Sequence, residues 1–497
     1  QPTTNRTTEQ PTTNRTTEQP TEQPTMASSQ TDNHRVHNLT LDTRTLAPGD
    51  VFVALPGTEH DGRDFIEFAL AAGAVAVLME SGREPHQDDA RVIPIAGLRG
   101  ELGALANRLY GSPSDDLKVV AVTGTNGKTS VVDLTAQLLR LVGYKTGTIG
   151  TLGMRLDQQP TETSNTTPDC LALHRQLQQW RDEEVECVTL EASSHALDQG
   201  RLDGLAVDVG VFTNLSRDHL DYHHSLDAYC EAKLKLFREF EPASRIYNAD
   251  DEAVVAHADV WHSCGLSVST TGANAEISIE VIQAIPLVLK LRTPWGDGRL
   301  QTSLSGRFNA FNVGASLTAI LSLGVNFSAA LAAAETLEPV VGRLQAVGDG
   351  DDIRVIVDYA HTPDALERAI CALKETDNVG ALWVLFGCGG DRDPGKRPEM
   401  GAIACQFADR VIVTSDNPRS EPPEAIIDDI LLGCDQSPIV EVDRAAAIAL
   451  AIAEAKVGDT VLIAGKGHET YQEIDGVRLP FNDAERAAQH LQQRQSA

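Results

Sequence analysis

The sequence predicts an α/β protein folded as three domains around largely parallel sheets, and three observations lead there. Short runs rich in Val, Ile and Leu, at 119–123, 187–190, 207–212, 355–357, 382–386, 411–414 and 461–464, alternate with helical stretches. Their near-continuous apolarity suits strands buried on both faces, and the alternation is the α/β pattern. Each run then breaks into a polar segment, and open α/β sheets bind ligands just past the carboxyl ends of their strands. Finally, 497 residues exceed what one hydrophobic core supports, so two to four domains are expected. Breaks near Gly111-Ser112-Pro113-Ser114 and Glu338-Pro339 divide the chain into a small N-terminal α/β domain at 34–112, a central domain at 113–338 and a C-terminal Rossmann-like α/β domain at 339–497.

Residues 1–33 precede these domains. PTTNRTTEQ occurs at 2–10 and again at 11–19, and proline is the only apolar residue before Met26, so a disordered low-complexity tail is expected. It lacks the apolar stretch of a signal peptide, and Met26 is a candidate functional start.

The first run of the central domain is the most informative. Residues 119–130, VVAVTGTNGKTS, pass from strand through a glycine-bearing loop into Lys128-Thr129-Ser130. A strand, a tight loop and a helix N-terminus together cradle phosphate: backbone N–H groups face the anion, a lysine reaches the outer phosphates and a hydroxyl coordinates Mg²⁺. Val122 stands where the general P-loop pattern wants glycine, which leaves the shorter form Gly124-Thr125-Asn126-Gly127-Lys128-Thr129.

Glu191 ends the next run, where an acidic residue commonly holds Mg²⁺; a solvated carboxylate is the alternative. His195, in SSHAL, can simply cap the following helix. The stretch 212–224, FTNLSRDHLDYHH, places His219 and His223 on one face of any helix, as a metal site or as a polar turn. Lys233 reads by default as a solvated helix charge, and Arg343, Asp358 and His361 are ambiguous singly. Residues 265–304 look like a β-rich excursion, with apolar–polar alternation at 277–281. Residues 387–397, GCGGDRDPGKR, form a charged glycine-rich loop able to bring backbone and two arginines to an anion. SDNPR at 415–419 is a strand-to-turn element, and 461–464 leads into GKGHE.

Composition removes several function classes. A net charge of −30 argues against a nucleic-acid surface. No apolar run approaches the roughly 20 residues that span a bilayer. Eight scattered cysteines without a C-x-x-C pair point to reduced thiols in a cytosolic protein, not to disulfides or zinc.

Taken in order, GTNGKT, SNTTPD (164–169), EASSHAL, NLSRDHLDYH, AKLKLF, GRFNAFN (306–312), DYAHTPDAL (358–366), GCGGDRDPGKRP, DNPR and GKGHE resemble, over about residues 38–490, the Mur ligases. These are ATP-dependent amide-forming enzymes of peptidoglycan precursor synthesis. Within the family the resemblance is to members that add meso-diaminopimelate to UDP-N-acetylmuramoyl-L-alanyl-D-glutamate. It implies a UDP-sugar-binding first domain, a P-loop-type ATPase second domain and an amino-acid-binding third domain in a cytoplasmic, monomeric enzyme. Its partners would be ATP, the UDP-muramoyl dipeptide and diaminopimelate, with neither nucleic acid nor membrane insertion.

The residue roles follow from the same resemblance. Gly124, Thr125, Asn126, Gly127, Lys128, Thr129 and Ser130 would hold the ATP phosphates, with Asn309, Asn312, Arg343 and Asp358 contacting the nucleotide. Thr129 and Glu191 would ligate one Mg²⁺, and His219 and Lys233 a second, with Lys233 carboxylated by CO₂. A carbamate is an anion that coordinates Mg²⁺, whereas an ammonium repels it. Lys128, Glu191, His219, Lys233 and Arg343 would then be catalytic. The UDP substrate falls on Leu41, Thr43, Thr58, Glu59, His60, Asn165, Thr166, Thr167, Ser193, Gln199 and Arg201, and the amino acid on Arg392, Asp416, Asn417, Pro418, Arg419, Gly465 and Glu469. Thr43 stands where the family often has serine, which keeps a hydroxyl.

DNPR discriminates between amine substrates. Diaminopimelate differs from lysine by a carboxylate at its far end, which an arginine pairs bidentately. Lysine would leave that arginine unpaired, at about 2–5 kcal/mol. Three rivals stand beside this reading. A lysine-adding member of the family is separated by amine competition. A folylpolyglutamate synthetase shares the short phosphate loop but lacks a segment like LDTRTLAPGDVFVALPG (41–57). A non-catalytic nucleotide-binding scaffold predicts no substrate-dependent ADP release.

Overall fold

The computed structural model describes residue 36 and residues 38–495, apart from 58–59, 83–88, 157–158, 162–165, 263, 273, 285, 349–351 and 375–379. The expected tail at 1–33 and the candidate residues Thr58, Glu59 and Asn165 lie outside the described residues.

Three main sheets follow one another along the chain. The first is parallel throughout, in the order β1 (Leu39–Thr40), β2 (Val51–Ala54), β3 (Ala76–Glu80), β4 (Val92–Ile95). The helix Leu98–Leu109 turns Leu98, Leu102 and Ala106 toward Leu39, Val51 and Val53, and the same core takes in Cys170 and Leu171 of the helix Cys170–Asp182. The small sheet is therefore seated on the central part of the molecule by shared apolar burial.

The second sheet holds eleven strands: β5 (Lys118–Thr123), β6 (Thr146–Gly150), β7 (Gly153–Leu156), β8 (Gln159–Thr161), β9 (Cys187–Glu191), β10 (Val209–Phe212), β11 (Ser244–Asn248), β12 (Gly265–Ser269), β13 (Ile277–Ala284), β14 (Leu287–Thr293) and β15 (Gly296–Thr302). Their order is β15-β14-β13-β12-β11-β10-β5-β9-β6-β7-β8. From β13 to β6 all neighbours are parallel, and antiparallel strands extend both edges. Residues 265–304 thus continue the sheet instead of leaving it, and the alternation at 277–281 is seen in buried Ile277 and Ile279 beside exposed Glu280. On β5, Val120 and Val122 face the helices Lys128–Leu141 and Phe308–Ser322, while Val119 and Ala121 face the other side. Burial on both faces is what the apolar runs require.

The third sheet, β16 (Gln345–Val347), β17 (Arg354–Asp358), β18 (Leu382–Phe386), β19 (Arg410–Val413), β20 (Ile439–Val440) and β21 (Thr460–Ala464), has the order β16-β17-β21-β18-β19-β20 and is parallel except for β16. Helices cover both faces. A separate hairpin, β22 (Tyr471–Ile474) and β23 (Val477–Pro480), follows. All seven apolar runs lie in parallel regions, so the α/β fold class is borne out. One run starts late: Asp208 accepts from Val119 N–H at 2.7 Å just before β10. Among the described residues no helix is long and apolar enough to cross a membrane.

Candidate active site

The loop after β5 is shaped by two glycines at positive φ, Gly124 at +138° and Gly127 at +86°. A Cβ on Gly124 would lie 2.0 Å from Thr213 Oγ1, so only glycine closes this turn. Thr213 Oγ1 in turn donates to Asn126 O at 2.6 Å. Lys128 opens the following helix and folds back, donating to Gly124 O at 2.9 Å and Thr125 O at 2.8 Å. Its half-buried ammonium has its pKa lowered by burial.

Thr129, one residue on, joins two domains. Its hydroxyl donates to Glu191 Oε1 at 2.9 Å and accepts from Arg343 Nη2 at 2.9 Å. Glu191 is 1% exposed and also accepts from Thr151 N–H at 2.8 Å and Thr151 Oγ1 at 3.1 Å. Arg343 lies 4.4 Å over the Tyr359 ring, and its buried Nε has no hydrogen-bond partner among the described residues. An orphaned guanidinium N–H beside a phosphate-type loop fits an anionic oxygen. Asp358 accepts from Leu344 and Ala360 N–H at 2.7 and 2.8 Å, and burial raises its pKa.

Lys233 contradicts the default of a solvated helix charge. It is 1% exposed, donates to Gly124 O at 2.7 Å and lies 4.2 Å over the Tyr229 ring. Burial, helped by the nearby Lys128 charge, lowers its pKa well below the ordinary lysine value. His219 adopts φ +53° and stacks edge-on against His195 at 4.7 Å. Its Nε2 is 3.3 Å from Asp218, but burial outweighs that carboxylate and takes its pKa down to about 3. Asp218 sits between His219, Lys396 (3.8 Å) and His361 (3.9 Å). Burial pushes its pKa up, yet these groups hold it below the usual carboxylate range.

No group of three or more His, Cys, Asp and Glu is gathered into a ready metal cage among the described residues. The oxygens of Thr129 and Glu191 suit a Mg²⁺ that takes its other ligands from phosphate and water. His219 and Lys233 fit a second Mg²⁺ only with the lysine as an anion, which its depressed basicity permits.

The loops of the third sheet form the far wall. Asn417 Nδ2 donates to Glu469 Oε2 at 2.9 Å, and fully buried Lys466 donates to Glu469 Oε2 at 2.8 Å and Asn417 Oδ1 at 3.0 Å. Burial raises the Glu469 pKa against the pull of Lys466. Arg419, at φ +53°, donates to Gly390 O at 2.7 Å. Arg392 is exposed and donates to Asp391 O at 3.1 Å.

These walls enclose one cleft of about 800 Å³ that Lys128, Glu191, His219, Lys233, Arg343 and Arg419 all line. Thr125, Asn126, Gly127, Thr129, Ser130, Thr166, Ser193, Asn312, Asp358, Arg392, Asp416, Asn417, Gly465 and Glu469 line it too. Asn309 stands just behind, accepting from Asn312 Nδ2 at 3.0 Å. Gly124 and Pro418 shape the loops without lining the cleft. Thr167, Gln199 and Arg201 form one network beside it that reaches cleft-lining Ser193: Thr167 Oγ1 donates to Glu191 O at 2.6 Å and lies 3.5 Å from Ser193 Oγ, and Arg201 donates to Thr167 O at 2.9 Å and Gln199 Oε1 at 3.0 Å. Leu41 packs on the first sheet's core, Thr43 lies in the turn after β1, and His60 is exposed; none of the three lines the cleft.

Sequence reasoning singles out neither Asp218 nor Lys396, which meet inside the cleft. It also passes over Asn248, Asp250, Thr270 and Thr271, which line the cleft at the ends of β11 and β12. The signal for the latter is again polar residues past strand ends.

Comparison with known proteins follows this geometry. The family models for the Mur ligase family catalytic domain, the Mur ligase middle domain and the Mur ligase glutamate ligase domain match residues 35–110, 122–320 and 342–467. The chain is 46% identical over 463 residues to a UDP-N-acetylmuramoyl-L-alanyl-D-glutamate–2,6-diaminopimelate ligase of Pseudomonas aeruginosa, with 92% of this chain and 95% of that one covered. A solved structure of a ligase of that name matches with TM-score 0.67 and 36% identity, over 93% of this chain and 95% of the other. MurF ligase from Thermotoga maritima, in complex with ADP, shares the fold with TM-score 0.62 at 18% identity, over 93% and 99%.

Proposed function

The chain belongs to the Mur ligase family, and on that premise we propose how its cleft works. The enzyme joins the D-glutamate side-chain carboxylate of UDP-N-acetylmuramoyl-L-alanyl-D-glutamate to an amine of meso-diaminopimelate, using ATP, in peptidoglycan precursor synthesis. One observation carries this reading: the phosphate-loop Lys128, the buried Lys233 and Arg419 of the far wall share one cleft.

The reaction has two steps. The glutamate carboxylate attacks the γ-phosphorus of ATP, giving an acyl phosphate and ADP; the amine then attacks the acyl carbon, and phosphate leaves from the tetrahedral intermediate. The amides of 124–129 and Lys128 hold the phosphates, and Arg343, whose Nε has no partner among the described residues, reaches the γ-phosphoryl oxygens. Thr129 and Glu191 would hold one Mg²⁺, and His219 and Lys233, the latter as its carbamate, would hold a second. When bound, Mg²⁺ neutralises charge on the transferred phosphoryl group. Asn309, Asn312 and Asp358 hold the nucleoside. Leu41, Thr43, Thr58, Glu59 and His60 hold the UDP end of the substrate, and Asn165, Thr166, Thr167, Ser193, Gln199 and Arg201 lead its peptide to the cleft.

Arg419 pairs the far carboxylate of diaminopimelate, while Arg392, Asp416, Asn417, Pro418, Gly465 and Glu469 complete that pocket. Substrates made with cytoplasmic nucleotides imply a cytoplasmic enzyme, here read as a monomer. The deciding assay is ADP release with the UDP-muramoyl dipeptide and either diaminopimelate or lysine. Release is expected with diaminopimelate, and Arg419→Ala should weaken its use about tenfold or more; equal use of lysine points to the lysine-adding relatives. Transfer of ¹⁸O from the glutamate carboxylate into phosphate tests the acyl phosphate, and its absence would remove that step.

A further inference from the structure

Arg444 and Asp483 form a buried ion pair outside the cleft, 1% and 0% exposed. Each opens a helix, Arg444–Glu454 and Asp483–Gln495, and the contact is bidentate, Nε to Oδ1 at 2.8 Å and Nη2 to Oδ2 at 2.7 Å. A fully desolvated pair of this kind adds little stability compared with apolar residues of the same volume. Its remaining hydrogen bonds give a reason for it. Arg444 Nη1 donates to Ser415 O at 3.2 Å, and Nη2 to Ala464 O at 2.9 Å.

Ser415 directly precedes Asp416-Asn417, and Ala464 directly precedes Gly465. The guanidinium therefore joins the chain at the root of both amino-acid loops. Above it the loops are close enough that a Cβ on Gly465 would lie 2.6 Å from Asp416 Oδ2. Lys466 then ties Asn417 to Glu469. A planar fork with fixed donor directions can set such a spacing, which a flexible ammonium cannot.

We propose that Arg444 and Asp483 are positioning residues for the incoming amino acid, fixing the separation of the 416–419 and 465–469 loops so that both meet one molecule. This rests on the reading that the pocket takes diaminopimelate. The test is steady-state kinetics with all three substrates on two variants. Arg444→Met with Asp483→Leu replaces the pair by apolar volume and is expected to keep the melting temperature. Arg444→Lys keeps the charge pair but cannot also reach both carbonyls. In each, KM for diaminopimelate should rise about tenfold or more, with KM for ATP and for the UDP-dipeptide within about twofold, the pattern of lost binding at one site.

If the double variant does not fold, the lysine variant carries the comparison. A folded variant with unchanged diaminopimelate KM, or with all three KM values moved together, would overturn the positioning role. No diaminopimelate-dependent ADP release from the unaltered enzyme would instead overturn the functional reading, and this inference with it.

Discussion

Lys233 concentrates the chemistry in one side chain. Among the described residues its ammonium would have no carboxylate in hydrogen-bond contact, but Gly124 O and the face of Tyr229. Burial and Lys128 favour the neutral amine, and the neutral amine is the form that adds CO₂. Lys233→Ala is expected to lower kcat by about 10²–10³, the usual loss on removing a preorganised electrostatic group. Enzyme equilibrated with ¹³C-bicarbonate should give a carbamate carbon signal that the variant lacks; full activity in the variant would refute the role. His174, 0% exposed, is a quieter case. Its Nε2 meets Asp203 O at 3.0 Å, its Nδ1 has no partner among the described residues, and burial lowers its pKa from 6.5. Between that lowered value and 6.5 the unfolded chain binds a proton that the native state refuses, so stability falls as pH drops below 6.5. His174→Asn should flatten the fall in melting temperature below that pH, and an unchanged slope would rule this group out as its source.

At the scale of elements, the strand-to-loop junctions do most of the work. Gly124→Ala forces a Cβ against Thr213 Oγ1, whose hydroxyl braces Asn126 O. KM for ATP should rise with kcat/KM falling about 10²-fold, measured by nucleotide titration and ADP release; wild-type ATP binding would mean the loop tolerates the shift. Such junctions were legible because β5, β9, β10, β17, β18, β19 and β21 are largely buried runs of branched apolar residues ending in polar ones. β6, read as TGTIG, escaped for an equally physical reason. It is buried at every position, but its glycines admit large neighbours: a Cβ on Gly147 would lie 2.7 Å from the Trp180 ring, and one on Gly150 2.5 Å from Glu191 Oε1. Glycine inside a strand marks close approach, not hydrophobicity. The knot of Asp218 with Lys396 and His361 was illegible for another reason, since its members come from separate sheets and no local pattern reports a contact made by tertiary folding.

At the scale of the whole molecule, polar contacts bridge the central and C-terminal domains, beside the Asp218 knot with Lys396 and His361. Asn126 Nδ2 donates to Asp364 Oδ2 at 2.8 Å, Arg343 reaches Thr129, and Arg217 bridges Asp393 at 3.2 Å and Glu399 at 2.8 Å. Gly395 leaves room for that bridge, since a Cβ there would lie 2.2 Å from Arg217 Nη2. Because the cleft lies between these domains, any loosening separates Lys128 from Arg419 without touching either. Arg217 is 41% exposed on its side chain, so each of its ion pairs is worth only about 0–1 kcal/mol and is weakened by salt. Losing both shifts a closing equilibrium by at most about thirtyfold. Arg217→Ala should therefore raise KM for ATP and for the amino acid together, by about three- to tenfold, while the melting temperature barely moves. The wild-type enzyme should lose kcat/KM as ionic strength rises, and the variant should start low and respond less. A variant with wild-type KM values and the full salt response would show that closure does not depend on this bridge.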